Sequence, residues 1–331
     1  SILIFSYKNN SIRSKGLLFG KINMKNLILV SLLALFGCSE QIFLQAKDMD
    51  KLELALTPAD HADYVVIGKS INTRQEASGN LNLLNTVFFA EIFQTKYAIS
   101  QGGTVVNSYL TGPGRAKDGL TFSDDEARYL TGGRQMTIEK LTEIFPDDTY
   151  FYNFDTPDGN IRNLPAEFKR KNNASLNPGP IKLSLYQGNQ LADPNKIDPD
   201  QDITVRWSPF QKGSHDPNSI IDDMIYVMFG NCMGREVVHS GHAFDTNSLT
   251  FIENEFTIPE TILNSGQPFM LEVEHSNMET DVYKDIEIIV TYAASTFLDL
   301  RTTGINKKNQ SCPVVPLAFD GGATDRIRGN E

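Results

Sequence analysis

The clearest periodic signal in the chain is the alternation of Asp202-Ile203-Thr204-Val205-Arg206-Trp207, which puts Ile203, Val205 and Trp207 on one face of a strand. Further strands are expected over residues 181–186, 224–229, 235–239, 249–252, 256–258, 270–275, 286–292 and 295–300. Upstream, residues 64–67, 86–93, 104–110 and 150–154 are rich in β-branched and aromatic side chains. Clusters such as Gly112-Pro113-Gly114 and Thr156-Pro157-Asp158-Gly159 punctuate these segments as turns. One helix interrupts them. Thr137 can cap it, Ile138, Leu141, Ile144 and Phe145 share one face, and Pro146 stops it.

The pattern predicts a mainly β protein of two β domains with one short helix in the first. Asn177-Pro178-Gly179-Pro180 cannot continue a helix or a central strand and is the natural boundary. The expected organisation is a leader over residues 1–37, a polar tether over 38–58, a β-rich domain over 59–177 and a second domain over 178–301. A polar, Gly-rich tail over 302–331 is expected to be partly disordered.

From Met24 the leader reads Met24-Lys25-Asn26, then apolar residues 27–36, then Gly37-Cys38-Ser39. A basic start, a short apolar core and a small residue before the cut describe a secretory signal. The apolar run is too short to span a bilayer, which takes about 20 residues as a helix. Leu35-Phe36-Gly37-Cys38 resembles the lipobox of bacterial lipoproteins, although Phe36 is bulkier than the residue usual there. The resemblance implies cleavage before Cys38, lipid on that cysteine and residence in the cell envelope, with Ser39 favouring the outer membrane of a Gram-negative organism. An ordinary secretory signal with an incidental cysteine is the alternative. Residues 1–23 either extend the basic region or precede the true start at Met24.

The second domain resembles fibronectin type III-like, Ig-like sandwiches. Trp207 stands where their second strand ends. Leu263, Gly266 and Phe269, followed by Leu271-Glu272-Val273-Glu274-His275, loosely match their tyrosine corner, with Phe in place of Tyr. The helix running through Phe145-Pro146 into an aromatic strand resembles a segment of uncharacterised secreted bacterial β-proteins. Neither resemblance names a function, because such folds host many.

Charge narrows the partners. Removing residues 1–37 takes away five basic groups and no acid, leaving 25 Lys+Arg against 41 Asp+Glu, a net charge of −16. Such a surface repels nucleic acid and anionic headgroups, so attachment to a membrane must come from acyl chains. Only Cys232 and Cys312 remain beside Cys38, a candidate disulfide in an exported protein.

Candidate chemistry is sparse. Gly230-Asn231-Cys232-Met233-Gly234 has the form of a nucleophile elbow, but the following Arg235-Glu236-Val237-Val238-His239 reads as a return strand instead of the required helix. His239 and His242 lie three apart and would need further ligands, such as Asp216, Asp222 or Asp223, to hold zinc. The same three aspartates are calcium candidates, without the spacing of an EF-hand loop. The long loop after Trp207, with Pro209, Phe210, His215 and Asp216, is the expected contact surface. The expected function is non-catalytic, a binding or structural role in the envelope with a protein or glycan partner and no cofactor. The alternative is an envelope hydrolase with its active site in the first domain or at Cys232.

Overall fold

The computed structural model of the protein describes residues 55–123, 128–169, 177–231 and 236–305. Its architecture is mainly β, and its spine is a long hairpin. Strands β15 (Pro268–Tyr283) and β16 (Ile286–Arg301) pair antiparallel along their whole length, from Pro268 opposite Arg301 to Tyr283 opposite Ile286. Lys284 and Asp285 turn the chain with φ of 51° and 63°. A two-residue hairpin needs left-handed backbone at both central positions, and here residues other than Gly supply it.

Around this hairpin the central sheet runs β12 (Glu236–His239), β11 (Met224–Asn231), β15, β16, β1 (Ala62–Gln75), β2 (Leu81–Gln94), β5 (Tyr129–Gln135), with β13 (Leu249–Thr250) also on β11. β1 joins β16 in parallel, Tyr64 opposite Glu287 through Gln75 opposite Leu298. Two smaller sheets flank it. One orders β4 (Leu120–Thr121), β3 (Val106–Thr111), β6 (Thr149–Thr156) and β7 (Gly159–Glu167). The other orders β14 (Glu255–Ile258), β10 (Ile203–Trp207), β8 (Leu183–Gln187) and β9 (Gln190–Leu191). The helices are α1 (Lys96–Ser100) and α2 (Ile138–Ile144). The side chain of Thr137 caps α2 by accepting from Lys140 N, as the sequence pattern predicts.

β16 explains how the two small sheets share one large one. Successive side chains of a strand point to opposite faces. On one face of β16, Ile286, Ile288, Val290 and Tyr292 enter the core built with β3, β6 and β7, while Leu298 and Leu300 enter the core built with β8, β10 and β14. Each fully buried aliphatic or aromatic side chain contributes roughly 1.5–3 kcal/mol, so this face alone ties both cores together.

Residues 177–180 lie between the strands of the two flanking sheets, and the central sheet takes β1, β2 and β5 from before them and β11, β15 and β16 from after them. The described residues from Leu56 onward form one compact unit. Asn177 is buried, and its Nδ2 donates to Lys69 O (3.0 Å) and Ala293 O (2.8 Å), pinning the connection to β1 and β16. Trp207 is buried in the second core, its Nε1 donating to Glu253 O at 3.2 Å. Among the described residues no helix is long and apolar enough to cross a membrane.

Candidate functional site

The face of the central sheet turned away from the flanking sheets lines a pocket of about 120 Å³. A water needs roughly 10–15 Å³ measured this way, so the pocket has room for several waters or the head of an organic ligand. β1 contributes Tyr64, Val66, Ser70 and Asn72, β2 contributes Phe89, Glu91 and Phe93, and β5 contributes Tyr129 and the exposed Arg134. From β11 come Met224 and Tyr226, from β15 Glu272, Glu274, Ser276 and Met278, and from β16 Thr291, Ser295 and Phe297.

Strand alternation makes this wall. Leu271 and Val273 point into the core beneath β8, β10 and β14, so Glu272 and Glu274 between them point the other way, into the pocket. Glu272 is nonetheless buried and Glu274 half-buried, because neighbouring strands and the loop carrying His242 and Ala243 rise around them. Tyr64 stacks on Phe93 with ring centroids 4.3 Å apart and meets Phe244 edge-on at 5.1 Å, which fixes the aromatic side.

The two acids differ in their partners. Glu274 accepts from Ser276 Oγ (2.5 Å) and Ser295 Oγ (3.0 Å), one donor per carboxylate oxygen. Glu272 is 3% exposed, and its Oε2 accepts no hydrogen bond. Thr291 Oγ1, also buried on the pocket wall, has no hydrogen-bond partner either. Burial pushes the Glu272 carboxyl up to about 8, reinforced by the negative charge of Glu274 and opposed by the Ser295 hydroxyl. Glu274 is also raised by burial, against the pull of its two serine donors. A buried carboxyl of this kind is held neutral near pH 7 and can donate a proton.

At one rim Tyr226 Oη donates to Glu236 Oε2 (3.0 Å) and lies 3.4 Å from His242 Nε2. Burial, then the nearby acids Glu236, Glu272 and Glu274, hold the Tyr226 phenol well above its ordinary value. Burial, followed by the neighbouring His239, lowers the His242 imidazole. The His239 and His242 rings are 4.5 Å apart. Among the described residues no group of three or more His, Cys, Asp or Glu is placed to hold a metal ion.

Of the candidates singled out from sequence, His242 lines the pocket, and those of the loop after Trp207 lie elsewhere. Phe210 is buried and stacks on His275 with centroids 4.5 Å apart, so it anchors the loop and is not displayed by it. Pro209 is exposed, and His215, also exposed, bonds through Nδ1 to Asp222 Oδ2 at 2.7 Å. The oxygens of the calcium candidates accept hydrogen bonds from the loop itself. Asp216 accepts from Asn218 N, Ile220 N, Ile221 N and Thr280 Oγ1. Asp222 accepts from Asp216 N, and Asp223 accepts from Ser214 N, Asn277 Nδ2 and Met278 N. They fold the loop down onto β15. None of the six lines the pocket. Cys38, Cys232 and Cys312 fall outside the described residues.

No family model matches the chain, and no curated protein matches it. Among solved structures, the yeast delta-COP-I mu-homology domain complexed with a Dsl1 WxWxV peptide is similar at 12% identity, covering 72% of this chain and 95% of that one, with a TM-score of 0.20. A likeness at that level carries no argument about fold or function.

Proposed function

We propose that the protein is an envelope binding protein, tethered by lipid on Cys38, that takes its ligand into the pocket on the open face of the central sheet. The observation that carries this reading is Glu272 Oε2, a buried oxygen without a hydrogen-bond partner on the wall of an aromatic-lined pocket. Burying an unsatisfied polar group costs about 1–3 kcal/mol. A fold tolerates such a cost where the group is reserved for something that arrives later. The pocket also has the usual composition of a ligand site, mostly apolar walls with a few convergent polar groups.

A hydrolase reading has one observation in its favour: the pocket wall holds the carboxyls of Glu91, Glu272 and Glu274, that of Glu272 kept protonated near neutrality. Hydrolysis by paired acids needs the two to flank the bond that breaks. Glu272 and Glu274 stand side by side on one strand, two residues apart, and Glu274 is tied up by two serines. That arrangement suits recognition better than bond cleavage.

The test uses protein carrying [methyl-13C]methionine. Met224 and Met278 line the pocket, whereas Met136 is exposed in the link between β5 and α2 and does not line it. A library of small organic fragments should yield binders that shift the Met224 and Met278 methyls and leave Met136 unmoved. Val66→Trp, which fills the mouth from β1, should abolish those shifts. Binders that cluster at other methyls, or a library without binders, would contradict the reading.

A further inference from the structure

We infer that the ligand is an organic cation, an ammonium head on an apolar stem, docked with its head against Glu272 and Glu274 and its stem along the aromatic wall. This deepens the reading of the pocket as a ligand site and rests on it.

The pocket wall leaves two polar atoms without partners. Glu272 Oε2 and Thr291 Oγ1 are both buried, both on the pocket wall and both without a hydrogen-bond partner. An unionised carboxyl and a hydroxyl can serve donors or acceptors, so these two atoms alone do not choose a ligand. The surrounding charge does. Glu91, Glu272 and Glu274 are acids on the pocket wall, and Glu236 adds a fourth carboxylate through Tyr226. Against them stand Arg134, exposed on β5, and Arg74, whose Nη2 is already paired with Asp299 Oδ2 at 2.6 Å. His242 is held neutral by its burial. An incoming ammonium can draw these acids into their ionised form, whereas an anionic head would have to keep them protonated and would meet like charge wherever one ionises.

The stem follows from the remaining lining. Tyr64, Phe93, Phe297, Met224 and Met278 offer apolar faces within the same pocket. Aromatic faces attract a cation, by about 0.5–2 kcal/mol depending on desolvation, and methionine adapts to stems of irregular shape. An inorganic cation would use none of this surface.

Docking has a proton balance. The ammonium keeps its own protons and donates hydrogen bonds. Glu272, neutral before binding, ionises beside the incoming charge and releases its proton to solvent. Binding should therefore tighten as pH rises and should release close to one proton per ligand near neutrality.

Calorimetric titration of the full chain with phenethylamine, phenethyl alcohol and phenylacetate tests the inference. The same three are followed on the methionine methyls. Phenethylamine should bind at least tenfold more tightly than phenethyl alcohol, shift Met224 and Met278, and tighten by more than tenfold between pH 6 and pH 8.5. Parallel titrations in buffers of different ionisation enthalpy should report the released proton. Glu272→Gln, which keeps the shape of the side chain, should lose at least tenfold in affinity for the amine and all of the proton release. Its affinity for the alcohol should not change. Equal binding of amine and alcohol with shifts at Met224 and Met278 would overturn the cation and leave the pocket standing as a ligand site. Preference for phenylacetate would also overturn it. So would the absence of any amine-induced shift, in which case the fragment library decides separately whether the pocket binds at all.

Discussion

Ser295 stands directly opposite Glu274 across the β15–β16 hairpin, and its Oγ donates to Glu274 Oε2 at 3.0 Å. The contact joins the two strands that carry both cores, on the face that neither core uses. Ser295→Ala removes a donor from a half-buried carboxyl and leaves one acceptor short of a partner, a loss of about 1 kcal/mol. Burial raises the Glu274 carboxyl and a protonated acid needs the donor less, so the loss should be larger at pH 8.5 than at pH 5. Urea unfolding at the two pH values checks it; equal loss at both would show that Glu274 does not ionise in the folded protein.

Stability should depend on pH through two buried groups of opposite sign. Glu272 titrates at about 8 in the fold against 4.5 when exposed, so the folded state holds the extra proton in between. Its contribution to stability falls as pH rises from 4.5 to 8, by up to about 5 kcal/mol at 1.36 kcal/mol per unit. Burial lowers His275 to about 4 against 6.5, so its contribution falls as pH drops from 6.5 to 4, by about 3 kcal/mol. The two slopes oppose each other between pH 4.5 and 6.5, and above 6.5 that of Glu272 stands without its counterweight. Wild-type stability should decline from pH 6.5 to 8, and Glu272→Gln should remove most of that decline. A variant with the wild-type slope would refute the assignment.

Lys69 is 1% exposed on β1, bonded to Asp147 and, at 3.2 Å, to Thr142 Oγ1, with its ammonium 5.3 Å from the Phe168 ring centre. Desolvation lowers its pKa, partly offset by Asp147. Asp147→Ala should cost about 3–5 kcal/mol, because it strands a buried charge. Adding Lys69→Met to Asp147→Leu should recover most of that loss, since replacing both charges by apolar groups is often neutral. Chemical denaturation of the single and double variants measures the recovery. A double variant as unstable as Asp147→Ala would mean the pair is needed for more than mutual neutralisation.

Trp207→Ala should lower stability by about 3–5 kcal/mol through lost burial and the cavity it leaves. Trp207→Phe should cost less, since it keeps most of the ring and loses the bond to Glu253 O. An unchanged melting temperature in Trp207→Ala would contradict its burial in the second core.

The sequence was legible where alternation and burial agree. Residues 202–207 alternate because β10 covers one core and turns Thr204 and Arg206 outward, and α2 announces itself through its cap and its proline. The long hairpin was harder to read. β16 is buried on both faces, so its run lacks alternation. Its turn uses Lys284-Asp285, which carries none of the Asn-Gly chemistry that marks such hairpins. Residues 275–285 accordingly read as loop, although β15 continues through Tyr283. The pocket stayed hidden for a related reason. Glu272 and Glu274, alternating with Leu271 and Val273, have the pattern of a solvated face, and nothing local reveals that β1, β2 and β11 wall that face in. The one available signal was the cluster of small polar residues, Ser276 on β15 with Thr291 and Ser295 on β16, which suits a buried carboxylate better than open water.

The central claim is that the acids of this wall are kept for a ligand at the expense of stability. The most direct test is a pair of thermal melts at pH 8.5, wild type and Glu272→Gln, each with and without phenethylamine. A ligand that binds only the folded state raises its stability, and removing a buried unpaired charge should raise it without ligand. Glu272→Gln should melt higher than wild type without the amine and gain less from it than wild type does. A variant that melts lower than wild type and rises as far with the amine would contradict this.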